Sequence, residues 1–86
     1  MERTNQRECD VRMAPGTGPR PWLLCPVCGY EYVRLGHPEM DPQGDTIIRG
    51  ECESGHRFEI GFQFHKGNTF AFCRVPKFTV IEGGRR

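Results

Sequence analysis

Three thiols and one imidazole in this chain are spaced to do chemistry together. Cys25-Pro26-Val27-Cys28-Gly29 is one tight pair, and Cys52-Glu53-Ser54-Gly55-His56 is a second, after a long spacer. Structural zinc sites take four Cys or His ligands, commonly as two close pairs joined by a loop. Pro26 stiffens the first turn, and Gly29 lets backbone N–H groups approach the sulfurs with no Cβ in the way. Gly55 before His56 implies a similar turn. The expected ligands of one structural Zn2+ are therefore Cys25, Cys28, Cys52 and His56. For the fourth place Cys73 and His37 remain rivals to His56. Four protein ligands leave no position for water, which argues against catalysis at the metal. No glycine-rich phosphate loop, nucleophile elbow or carboxylate pair is present, so the chain is not expected to be an enzyme.

The elements that must position these residues read as strands. Tyr30 to Leu35 alternates apolar and charged residues, Gly36 to Asp45 reads as a loop, and Thr46 to Glu51 is a β-branched run that delivers Cys52. Phe58, Ile60, Phe62 and Phe64 alternate with polar residues, a period of two that puts all four on one face. Lys66-Gly67-Asn68 is the expected turn, and Thr69 to Val75 returns antiparallel. A three-residue loop places Phe64 opposite Phe70 and Phe62 opposite Phe72; a two-residue loop would send the two aromatic pairs to opposite faces. The three-residue loop is the preferred reading. Pro76 ends that strand, and Phe78 to Ile81 is a candidate edge segment.

Residues 1–20 show no helical or strand period and end in a stretch with Pro15 and Pro19, followed by Pro21, so they read as a flexible tail. Cys9 within it reads as a free thiol, Cys73 as a small apolar core residue. The domain is expected over residues 21–82, with 83–86 as a short C-terminal tail.

The first knuckle resembles that of the zinc ribbons, and Cys52 to Phe58 resembles the half of those ribbons whose last ligand is His. A looser likeness is to short ribbon proteins of high-GC bacteria and their phages. The resemblance implies a small all-β fold of three to four antiparallel strands with disordered termini. Cys-x3-His, where Cys-x2-Cys is usual, is the departure from the family pattern. It implies no single function, since ribbons serve in transcription, in ribosomes and as adaptors.

At 86 residues the chain holds one domain, too small to stabilise itself by core alone. Five cysteines with no apolar leader point to a reducing cytosol, and no apolar run suits a membrane. Net charge is +1, with ten Arg to two Lys. Residues 25–75 carry five basic and seven acidic groups, a poor match to phosphate backbones. The expected role is a binding module that meets a protein partner or a second copy through Trp22, Phe62, Phe64, Phe70 and Phe72. The alternative is a regulatory nucleic-acid binder using Arg49, Arg57, Arg74, Lys66 and Lys77, with Tyr30, Tyr32 or Trp22 as stacking surfaces. Trp22 is also suited to packing over the zinc site.

Overall fold

The structure is a computed structural model, and it describes residues 5–16 and 18–81. The described residues are all-β, as expected, but hold seven strands rather than three or four. They are β1 (Gln6–Cys9), β2 (Arg12–Pro15), β3 (Pro21–Leu24), β4 (Val33–Met40), β5 (Thr46–Cys52), β6 (Arg57–His65) and β7 (Asn68–Pro76). β1, β7, β6, β5 and β4 form one antiparallel sheet in that order, and β2 pairs with β3 in a small second sheet.

The two N-terminal strands correct the reading of residues 1–20 as a structureless tail. β1 adds to the free edge of β7, with Cys9 opposite Cys73 and Gln6 opposite Pro76. Arg7 Nη2 donates to Thr79 O at 2.6 Å, and Lys77 N donates to Asn5 O at 2.9 Å. Edge pairing is a backbone affair, so it needs no hydrophobic period in the added strand. Residues 1–4, 17 and the expected tail 83–86 lie outside the described residues.

β4 also runs further than expected, through most of the stretch read as a loop. It carries Pro38 and a register shift between Leu35 and Pro38. Proline is tolerated there because β4 is an edge strand, with no neighbour asking for its N–H. The turn that follows is tied by Asp41, whose Oδ1 accepts from Gln43 N at 2.9 Å and Asp45 N at 3.0 Å.

The β6–β7 register overturns the preferred three-residue loop. His65 faces Asn68, so the turn is Lys66-Gly67, with φ 52° and 84°. Positive φ at both central residues is the type I′ geometry that matches strand twist. Phe64 now faces Thr69, Phe62 faces Ala71, Gln63 faces Phe70 and Gly61 faces Phe72. Opposed residues share a face, so Phe62 and Phe64 lie on one side of the sheet and Phe70 and Phe72 on the other.

The core lies on the first of those faces, at the end away from the β6–β7 turn. Cys25, Val27, Cys52, Phe58, Ile60, Cys73 and Val75 are buried together, with Cys9, Val11, Leu23, Cys28, Val33 and Ile81 packed around them. Cys73 is thus the core residue it was expected to be. The opposite face holds a different kind of interior. Arg74, its side chain 7% exposed, lies 3.6 Å from Glu59 and 3.8 Å from Asp45, and its guanidinium stacks 5.0 Å from the Phe72 ring centre. Phe78 to Ile81 forms no strand.

Candidate metal centre

Each half of the site is a turn closed by its own backbone. After β3, Gly29 N donates to Cys25 O and Cys25 N donates to Tyr30 O, both at 2.9 Å. Gly29 has φ 79°, a conformation that costs a residue with a Cβ. That loop aims Val27 N at Cys25 Sγ, 3.4 Å away. Between β5 and β6, Cys52 N donates to His56 O at 3.0 Å and Gly55 N to Cys52 O at 2.9 Å. The strands fix the rest. β4 pairs Val33 with Cys52, so the chain leaving the first turn runs beside the strand that carries the second.

These two turns bring Cys25, Cys28, Cys52 and His56 together, with one ligand atom from each within 4.8 Å of all the others. Cys28 Sγ is 3.9 Å from Cys52 Sγ, and Cys52 Sγ is 3.4 Å from His56 Nδ1. The four form a group that could hold a metal ion. Cys25 and Cys52 are buried, while Cys28 and His56 are half-buried. Neither Cys73 nor His37 belongs to the group. Cys73 sits opposite Ile60 in the core, and His37 is exposed on β4.

The thiols differ in how readily they ionise. Burial pushes Cys25 up to about 11, against the N–H groups of Cys28 and Val27 that favour its thiolate. Burial also raises Cys52, but donors outweigh it: the His56 N–H, the His56 ring and the Ser54 N–H bring it down to about 7. Cys52 is therefore partly thiolate at neutral pH, whereas Cys25 gives up its proton readily only to a bound cation. Burial raises Cys73 to about 12, followed by the nearby Cys9, Cys25 and Asp10, so it stays a thiol.

Arg12 was not singled out by the sequence. Its Nη1 donates to Pro26 O at 3.5 Å, and its guanidinium stands 2.8 Å from where a Cβ on Gly29 would sit. The N-terminal segment therefore clasps the first turn. A single Arg in a proline-rich stretch carries no pattern that could have announced this.

The expected partner-binding residues do not form one surface. Trp22 on β3 faces Ala14, is half-buried, and lays its indole over Gly16, where any Cβ would collide with it. It belongs to the small second sheet and is not part of the core cluster that holds Cys25, Cys28 and Cys52. Phe70 and Phe72 lie across the sheet from Phe62 and Phe64, and Phe72 is half-buried over Gly61. The expected cation set is likewise dispersed: Arg74 is buried among carboxylates, and Arg49 sits between Glu39 and Glu59 at 3.9 and 4.0 Å. Tyr30 and Tyr32 meet edge-on at 5.4 Å and are exposed. No helix among the described residues is long and apolar enough to cross a membrane. No protein-family model, no curated protein and no solved structure matches the chain.

Proposed function

We propose that this chain is a non-enzymatic binding module, held together by one structural zinc, whose partner is another protein or a second copy. The donor chemistry supports zinc. Three sulfurs and an imidazole nitrogen suit a borderline-soft ion and repel calcium or magnesium, which take oxygen. A tetrahedral zinc with usual bond lengths needs edges of about 3.8 Å between sulfurs and about 3.5 Å from sulfur to nitrogen. The 3.9 and 3.4 Å separations fit those edges with little adjustment. Four protein ligands close the shell, which favours structure over catalysis. The resemblance of both turns to zinc-ribbon knuckles agrees with this.

One observation carries the binding half of the reading. β5 stops pairing with β6 at Phe62, so the rest of the β6–β7 hairpin extends past the sheet as a two-stranded arm. Every residue from 62 to 71 is exposed. Phe64 is 73% exposed on one side of the arm, with Phe62 behind it, and Phe70 is 48% exposed on the other. Met40, also 73% exposed, lies in the Phe62 row across β5. Large aromatics on a projecting arm bury little at home and much against a partner.

The test is sedimentation of the zinc-loaded protein, alone and with short DNA and RNA, at about 50 and 200 mM salt, where phosphate contacts lose orders of magnitude in affinity. Association that survives the higher salt and disappears in Phe64→Ser, with zinc retained, is the expected result for a second copy. For a distinct partner, proteins co-purifying with the wild type should be lost from Phe64→Ser. Tight, steeply salt-dependent binding to nucleic acid, unaltered by Phe64→Ser, would replace this reading with the nucleic-acid one.

A further inference from the structure

The sheet face turned away from the metal holds a groove of about 660 Å3 that crosses the strands, from Gln6 on β1 to Arg34 on β4. That volume is in the range of roughly 300–1,000 Å3 typical of ligand sites. Register explains its chemistry. Arg34 faces Glu51 and Glu51 faces Arg57, so the three stand in one row across β4, β5 and β6. Strands are spaced by about 4.8 Å, which leaves the two arginine backbones about 10 Å apart. Among the described residues, none of the three side chains makes an ion pair or hydrogen bond. The next row is different: Arg49 lies between Glu39 and Glu59, and Glu59 also meets Arg74. The groove lining holds three arginines against two glutamates, and the unanswered positive charge belongs to the Arg34–Arg57 row.

We propose that this groove binds an acidic, extended peptide segment of a partner protein. Arg34 and Arg57 each take one carboxylate, and Glu51 between them accepts a hydrogen bond from a peptide N–H or hydroxyl. Side chains on alternate residues of an extended peptide are about 7 Å apart, a span two flexible arginines reach easily. Nucleic acid suits the groove less well. Glu51 opposes a phosphate chain at its centre, and the lining aromatic, Phe58, is 4% exposed and offers no stacking surface. This inference rests on the reading of the chain as a protein-binding module, but it uses a surface distinct from the aromatic arm.

The experiment is an NMR titration of the full-length, zinc-loaded, 15N-labelled chain. The probes are a blocked peptide containing Glu-Ser-Glu, its Gln-Ser-Gln counterpart and oligothymidylate. The Glu peptide should give saturable shifts at Arg34, Gly50, Glu51 and Arg57, and removing its charges should weaken binding about tenfold or more, as loss of close charge pairs does. The double variant Arg34→Gln/Arg57→Gln should lose the response with its zinc and its spectrum otherwise intact. Phe64→Ser should keep it, which separates this site from the arm. Equal binding of the Gln peptide, tighter binding of oligothymidylate, or no saturable shift at millimolar peptide would each overturn the proposal.

Discussion

Gly50 is where the packing is tightest against a residue that cannot retreat. A Cβ there would stand 2.6 and 2.7 Å from Cε1 and Cζ of the Phe58 ring and 2.9 Å from Leu35 Cδ2. Leu35 is exposed and can swing out. Phe58 is 4% exposed in the cluster that also holds Cys25 and Cys52, so its ring has no open space to move into. Forcing a methyl group into such a core costs about 1–3 kcal/mol. Gly→Ala returns about 0.4–1 kcal/mol by restricting the unfolded chain, leaving a net loss of about 1–2 kcal/mol. For a domain of this size each kcal/mol shifts Tm by about 4–8 °C, so Gly50→Ala should melt about 5–15 °C below the wild type. Gly36→Ala is the control. Its Cβ would meet only Arg49 O at 3.6 Å, an ordinary contact, so its Tm should stay within a few degrees of wild type. Both are followed by circular dichroism at fixed free zinc, with bound zinc measured in each. Equal melting of Gly50→Ala and Gly36→Ala would refute the packing argument. Phe58→Leu placed on Gly50→Ala should recover part of the loss, because it removes the atoms that collide.

Three other perturbations separate the parts of the molecule. His56→Ala should lose stoichiometric zinc in competition with a chromophoric chelator, whereas Cys73→Ser should keep the metal and lose about 1–3 kcal/mol for burying a hydroxyl; the reverse outcome would make Cys73 the ligand. Zinc affinity should fall as pH drops, and fall more steeply below about 7, where Cys52 joins the other cysteine ligands in having to release a proton to bind. A slope that stays constant between pH 8 and 5.5, read by the same competition, would contradict the ionisation assigned to Cys52. Deleting residues 2–9 should lower Tm by about 10 °C or more, since it removes β1 from β7 and uncovers Cys73, at a cost of about 2–3 kcal/mol; unchanged melting would show that β1 contributes nothing to the fold.

The two turns of the candidate metal centre were legible in the sequence because local spacing brings each pair of possible ligands together. A Cys-x2-Cys or Cys-x3-His stretch around a glycine leaves few ways for the backbone to run, whatever surrounds it. The β6 strand was legible for a similar reason: Phe58, Ile60, Phe62 and Phe64 keep a period that only an extended chain puts on one face. What the spacing could not decide was His56 against Cys73 or His37. That required the β4–β5 pairing, which carries the two turns together, and the β7 register, which turns Cys73 into the core.

Register was decided in three dimensions throughout. Lys66-Gly67 closes the hairpin in two residues because Lys66 accepts φ 52°, a strain weak enough for sheet twist to outweigh and invisible in a Lys-Gly-Asn string. That single residue of slip moved Phe70 and Phe72 to the other side of the sheet, since side chains alternate with a period of two. β1 and the continuation of β4 past Leu35 were missed because edge strands are held chiefly by backbone hydrogen bonds, which leave little trace in residue type. The sequence by itself determined the two turns that offer metal ligands, with three of the four residues in the group, and which stretch must be extended. Only the tertiary structure decided which faces those stretches share, because facing depends on pairing between segments distant in the chain.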